Sequence, residues 1–174
     1  MKTNVIMKIM NIVFWIVFIG LCIKTGTLIV SFFMSVFAGP EASEPLYLGV
    51  DFFDYENIDL NHYINLLSFL TVLTGMKAYI AYLVVKLFMK FDLNYPFNEN
   101  AAKLISKIAY FALSIGIVAL IANQYTERML KRGAEISQID WGAEEFLFFA
   151  GIIYILALVF KRGVEIQSEN DLTI

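Results

Sequence analysis

Residues 9–37 read IMNIVFWIVFIGLCIKTGTLIVSFFMSVF and hold a single charged side chain, Lys24. An α-helix needs about 20 mostly apolar residues to cross the hydrocarbon core of a bilayer, so this run is long enough to span a membrane. The apolar part of a secretory signal peptide has only about 7–15 residues. The run is therefore interpreted as a retained membrane span rather than a cleaved leader.

Three more apolar runs follow, at residues 63–88, 104–121 and 143–160. The last is predicted to begin near Gly142, with Trp141 as an interfacial anchor and with Glu144 and Glu145 in its first turn, where carboxylates suit the helix dipole. The chain is 59% hydrophobic and 17% charged, and its mean hydropathy is +0.69. Soluble domains are about 45–50% apolar and about 25% charged. The sequence therefore predicts an all-α protein, an integral membrane four-helix bundle.

Basic residues between the spans predict its orientation, because Lys and Arg accumulate on the cytoplasmic side of short connections. One side carries the larger group: Lys2, Lys8, Lys86, Lys90, Lys103, Lys107, Lys161 and Arg162. The other side carries only Arg128, Lys131 and Arg132. Both termini are therefore expected in the cytoplasm. A transmembrane domain over 1–162, with outer connections at 38–62 and 122–142, would be followed by a short cytoplasmic tail, 163–174.

The sequence lacks the residues that several classes of function require. The net charge of −3 and the lack of a basic cluster argue against direct nucleic-acid binding. The chain has one histidine, His62, and one cysteine, Cys22, whereas zinc and haem sites generally need more such ligands. His62 is interpreted as an interfacial side chain at the outer edge of the second span. No catalytic motif is present, so we expect no enzyme, catalytic residue, metal or cofactor.

Two of the spans carry polar side chains that could form an intramembrane site. These candidates are Lys24, Thr27 and Ser31 on the first span and Thr71, Thr74 and Lys77 on the second. At 100° per residue, Lys24 falls on one stripe with Ser31 and Ser35, which predicts that Lys24 points into the bundle. Lysine in the membrane marks a functional pathway in many proteins. The alternative is that each lysine extends along its apolar stem toward the nearer interface.

A face of small residues follows the third span at Ala109, Ala112, Gly116 and Ala119. Small residues at this spacing let two helices approach closely in lipid. The face is therefore interpreted as a packing surface, either for a neighbouring helix of the same chain or for a second copy.

The last residues, KRGVEIQSENDLTI at 161–174, end the chain directly after the fourth span. A basic pair is followed by the tail residues Gly163, Glu165, Glu169, Asn170, Asp171, Leu172, Thr173 and Ile174. This tail, together with the size and hydropathy of the chain, resembles the bacterial four-span membrane proteins called domain of unknown function 2975 (DUF2975). The resemblance implies a multi-pass protein of the bacterial cytoplasmic (inner) membrane with no assigned activity, whose gene often lies beside one for a small helix-turn-helix regulator. Such a regulator is therefore the expected partner.

Three functional hypotheses remain at this point. The first is a non-enzymatic membrane component of a regulatory or sensing system, whose tail contacts a cytoplasmic partner. The second is a small carrier or channel for an anion or protons that uses Lys24 and Lys77. It would act as a homo-oligomer, because four spans enclose little volume. The third is an immunity or stress-protection protein that acts through its outer surface.

Overall fold

A computed structural model describes residues 2–38, 60–91, 95–134 and 139–171 and contains four long α-helices. They are α1 (Lys2–Ala38), α2 (Leu60–Lys90), α3 (Glu99–Lys131) and α4 (Ala143–Asp171). Each is long and apolar enough to cross a membrane. Helices satisfy their backbone hydrogen bonds internally, as the bilayer core requires. The predicted all-α, four-span membrane protein is confirmed. Residues 39–59, most of the acidic and aromatic outer connection, lie outside the described residues.

Helix α3 extends beyond its apolar run because both of its ends are capped in polar sequence. At the start of α3, the side chain of Asn98 accepts a hydrogen bond from the Ala101 amide at 2.8 Å, which satisfies one of the free amides of the first turn. At its end, Gly133 takes a positive φ of 87°, and the Ala134 amide donates to the Met129 carbonyl. Helix α3 therefore continues to Lys131, into the connection predicted over 122–142.

Successive helices pack against one another in antiparallel order, and the main contacts are α1 with α2, α2 with α3, and α3 with α4. Aromatic pairs set the register. Phe14 of α1 lies 5.7 Å from Phe88 of α2 between ring centroids, and Tyr79 of α2 lies 4.5 Å from Phe111 of α3. Because α2 and α3 occupy the middle of this order, they supply most of the buried core.

The small-residue face of α3 packs inside the chain. Ala112 and Ala119 are completely buried. A Cβ atom placed on Gly116 would lie 2.7 Å from Leu147 Cγ and 3.2 Å from the Leu147 backbone nitrogen, so α3 and α4 approach closely at this glycine. The small-residue face therefore packs against a neighbouring helix of the same chain, which was one of the two alternatives; the other was a second copy of the protein.

Helix α1 is the least covered helix, and it corrects one prediction. Leu28, Ser31 and Ser35 are buried, as the stripe predicted. Lys24, from the same stripe, is exposed instead of pointing into the bundle. At 100° per residue Lys24 lies within about 20° of both Ser31 and Ser35, so the burial of this stripe changes along the helix and not around it. The structure also corrects the prediction that Trp141 is an interfacial anchor. Trp141 is only 3% exposed and belongs to the core.

The α2–α3 connection and the end of α4 meet at one end of the bundle, which we call the inner end. Here Phe91 and Phe97 both contact Phe160, with ring centroids 6.4 Å and 5.4 Å away. The opposite, outer end holds the start of α2 and the α3–α4 connection. The assignment of the inner end to the cytoplasm stays a prediction from the distribution of basic residues.

Candidate functional site

Two of the four hydroxyl groups of the predicted intramembrane site are bonded to their own helices. Thr27 donates to the Ile23 carbonyl at 3.0 Å, and Thr71 donates to the Leu67 carbonyl at 2.7 Å. Such bonds are the usual way in which a helix satisfies a threonine or serine in its interior. Thr74 is buried. Ser31 is buried too, and its Oγ has no hydrogen-bond partner among the described residues. Two of the four hydroxyl groups therefore have a hydrogen-bond partner within their own helix.

Lys77 lies in a polar contact between α2 and α4. It is half-buried, and its Nζ lies 5.0 Å from the centroid of the Phe146 ring, within range of a cation–π interaction. Its charge interacts with that of Lys24 and with the carboxylates of Asp140 and Glu145. The structure thus brings both predicted lysines into one group of four charged residues. Two of its members, the carboxylates, were not predicted as partners of Lys77.

A glycine turn at the start of α4 places those carboxylates. The Gly142 amide donates to Asp140 Oδ1 at 2.8 Å, and Gly142 has a φ of 74°. This left-handed conformation is accessible to glycine at little cost. Glu145 follows in the first turn of α4, close to Gly142. Carboxylates near Lys77 lower the cost of placing its ammonium group between helices.

A second polar cluster at the outer end was missed from the sequence. His62 Nδ1 lies 2.6 Å from the hydroxyl oxygen of Tyr125, and Asn65 Nδ2 donates to the same oxygen at 3.0 Å. This hydroxyl therefore joins two residues of α2 to α3. His62 is more than an interfacial side chain, but it and Tyr125 are 63 positions apart. No local pattern could have paired them.

Trp141 completes the outer end. Its Nε1 donates to Thr126 Oγ1 at 3.0 Å in a buried position, and Thr126 in turn donates to the Ala122 carbonyl. The Phe69 ring packs on both Trp141 and Tyr125. The start of α4 is thereby held against α2 and α3 by a satisfied hydrogen-bond chain and an aromatic cluster.

At the inner end, the predicted tail continues α4 without a break. The helix runs through Gly163, Glu165 and Glu169 and includes the backbones of Asn170 and Asp171. Arg162 and Glu165 form an ion pair at 2.7 Å on its exposed side. Leu172, Thr173 and Ile174 lie outside the described residues. Most of the tail is thus a helical extension of the fourth span, which we call the α4 extension (residues 161–171).

An apolar groove runs along this extension. It has a volume of about 470 Å³. Residues from the α2–α3 connection and from α4 line it: Phe97, Val159, Arg162, Gly163, Ile166 and Gln167. Ile166 is 46% exposed and Phe97 is 38% exposed, so its apolar side chains are accessible. We call this the apolar groove. Grooves of this kind accept an apolar side chain from a partner helix.

No group of three or more His, Cys, Asp or Glu side chains that could hold a metal ion occurs in the part of the chain that the structure describes. A family model described as "Protein of unknown function (DUF2975)" matches residues 51–174. The match covers α2, α3, α4 and the whole tail, and it confirms the resemblance drawn from the tail. No curated protein and no solved structure matches the chain.

Proposed function

Because the chain belongs to the DUF2975 family of proteins of unknown function, we propose its function from the geometry of the inner end. The protein is a non-enzymatic component of a regulatory or sensing system in the cytoplasmic membrane. Its α4 extension and apolar groove bind a cytoplasmic regulator, of the helix-turn-helix type that the resemblance implies. The observation that carries the proposal is the unbroken course of α4 from the membrane span to Asp171.

An unbroken helix links the bundle to the groove mechanically. A small shift of α4 within the bundle would move the far end of the same helix, because a packed helix moves as a unit. The groove is made by two separate elements, with Phe97 on the α2–α3 connection and Ile166 on α4. Relative movement of these elements would change the shape of the groove. A condition sensed in the membrane would in this way alter the affinity for the partner.

The composition of the groove indicates what the partner offers. Its apolar side chains would receive one or two hydrophobic side chains from an amphipathic helix. Arg162 lies at its edge, and Glu165 and Glu169 lie on the exposed side of the same extension. A partner helix with an apolar face bordered by both basic and acidic side chains fits this surface.

Capture of the partner tests the proposal. The protein is purified from native membranes after mild cross-linking, in full length and without residues 164–174. Two point variants accompany it: Ile166→Gln in the groove, and Ser168→Gln as the matched control on an exposed position outside the groove. We expect a DNA-binding regulator with the full chain and with Ser168→Gln, and its loss from the truncated and Ile166→Gln proteins. Equal capture of the regulator by all four proteins would contradict the proposal, as would its absence from all four.

The charged group around Lys77 favours a second candidate function, a small anion or proton carrier. Lys77 interacts electrostatically with Lys24 and with the carboxylates of Asp140 and Glu145, and intramembrane charges of this kind occur along proton and ion pathways. Reconstituted vesicles distinguish the candidates. A carrier gives proton or anion flux that Lys24→Leu together with Lys77→Leu abolishes, whereas a regulatory component gives no flux above that of empty vesicles.

A further inference from the structure

A second groove opens at the inner end, on another side of the α4 extension. Its volume is about 650 Å³, and it is bounded by α2, α3 and α4. Five lysines line it: Lys86 and Lys90 from α2, Lys103 and Lys107 from α3, and Lys161 from α4. We call it the basic groove. Lysines up to 75 positions apart in the chain therefore line one space. Counting basic residues one span at a time does not reveal this grouping.

The carboxylates in the basic groove leave most of this charge uncompensated. Glu99 lines the groove but pairs with Lys103 at 2.7 Å. Glu165 also lines it, and its ion-pair partner Arg162 lies outside the lining. Among the described carboxylates, none lies within 4.0 Å of Lys90, Lys107 or Lys161. The groove therefore presents a local excess of positive charge in a chain whose net charge is −3.

The position of the basic groove relative to the apolar spans indicates which kind of anion it binds. Lys161 directly follows Phe160, the last residue of the fourth apolar run, and Leu104 is the first residue of the third. The groove thus begins where the apolar spans end, at the level of lipid headgroups. Ala102, Leu104 and Val164 add apolar surface to its lining. Because α2 and α4 both pack on α3, the space between them lies over α3.

We infer that the basic groove binds the phosphate-bearing headgroup of an anionic phospholipid. Lysines donate hydrogen bonds to the phosphate oxygens, and the apolar lining accommodates the glycerol and the first acyl carbons. Basic pockets between transmembrane helices are known to bind anionic headgroups. A volume of about 650 Å³ also exceeds what a single phosphate ion fills. The inference is independent of the proposed function, because Phe97, Gly163 and Ile166 line the apolar groove and not this one.

The test uses the full-length protein in a neutral detergent, titrated with phosphatidylglycerol while thermal stability is followed. The groove variant Lys90→Gln, Lys107→Gln, Lys161→Gln is compared with the control variant Arg128→Gln, Lys131→Gln, Arg132→Gln. The control removes the same charge at the outer end. We expect the groove variant to bind phosphatidylglycerol roughly 100-fold more weakly, about fivefold for each lysine. The control is expected to change by less than about fivefold.

Two further arms identify the source of the anion. Phosphatidylcholine, which has no net charge, and inorganic phosphate are each titrated under the same conditions. We expect neither to stabilise the protein as phosphatidylglycerol does. Stabilisation by inorganic phosphate with the same lysine dependence would overturn the lipid assignment, and equal weakening in the groove and control variants would overturn the site. The single variants of Lys90, Lys107 and Lys161 supply the same comparison if the triple variant does not fold.

Discussion

The ring of Phe97 lies directly against the backbone of Gly163, where the α2–α3 connection meets the α4 extension. A Cβ atom on Gly163 would come within 2.6 Å of Phe97 Cγ, closer than two carbon atoms can pack. Phe97 also contacts Phe160. The absence of a side chain at position 163 therefore allows the connection to rest on the helix, and this contact forms one wall of the apolar groove.

Replacing Gly163 by Ala is expected to have opposite effects in two backgrounds. In the natural sequence the new methyl group overlaps Phe97, at a cost of about 1–3 kcal/mol, which outweighs the gain of about 1 kcal/mol from replacing a glycine within a helix. In a Phe97→Ala background only the gain remains. Unfolding in mixed micelles with increasing SDS measures all four proteins. The same change in free energy of unfolding in both backgrounds would show that the two residues do not interact.

The close approach of α3 and α4 at Gly116 makes a second prediction. Gly116→Ala places a methyl group against Leu147, including its backbone nitrogen, so α4 has to move. We expect a loss of about 1–3 kcal/mol in the free energy of unfolding. Gly151→Ala is the matched control, because a Cβ on Gly151 meets no atom within 4 Å. It should leave stability unchanged or raise it by up to about 1 kcal/mol. Equal effects of the two substitutions would contradict the packing.

The buried hydrogen bond between Trp141 and Thr126 leads to a third prediction. Thr126→Val keeps the shape of the side chain but removes the acceptor, which leaves a buried indole N–H without a partner at a cost of about 1–3 kcal/mol. Thr126→Ser keeps the hydroxyl and loses one methyl group, a cost of about 0.8 kcal/mol. Thermal unfolding of the two variants is compared with the natural protein. The bond has no structural role if the valine variant is as stable as the serine variant.

The sequence was sufficient for the number and kind of helices because lipid allows so few alternatives. A long apolar run has to be helical in a bilayer, so 9–37, 63–88, 104–121 and 143–160 identified α1 to α4. The helix ends were less predictable. They depend on capping groups such as Asn98 and on the glycine turn at Gly133, whose effect is to extend a helix into polar sequence.

The side chains that α1 buries were predicted only in part. Periodicity placed Lys24 and Ser31 on one stripe, and only the packed structure shows that Ser31 is covered whereas Lys24 is exposed. Contacts between helices could not be predicted from the sequence for the same reason. Periodicity describes one helix at a time, whereas His62 with Tyr125, or Lys161 with Lys90, meet only after the helices have packed.

The final prediction separates a structural role of the two intramembrane lysines from transport. Each lysine in a span costs about 2.5–3.5 kcal/mol on insertion scales. The contact of Lys77 with Phe146 returns about 0.5–2 kcal/mol, and the exposed carboxylates of Asp140 and Glu145 return about 0–1 kcal/mol each. Lys24→Leu together with Lys77→Leu should therefore raise the thermal stability of the protein in lipid. If the proposed regulatory function is correct, the double variant also keeps full capture of the cytoplasmic regulator, because the α4 extension is unchanged.

A double variant that folds but loses the regulator would show that the charged group around Lys77 controls the far end of α4. A double variant that keeps the regulator but loses a measurable flux would instead assign transport to Lys24 and Lys77.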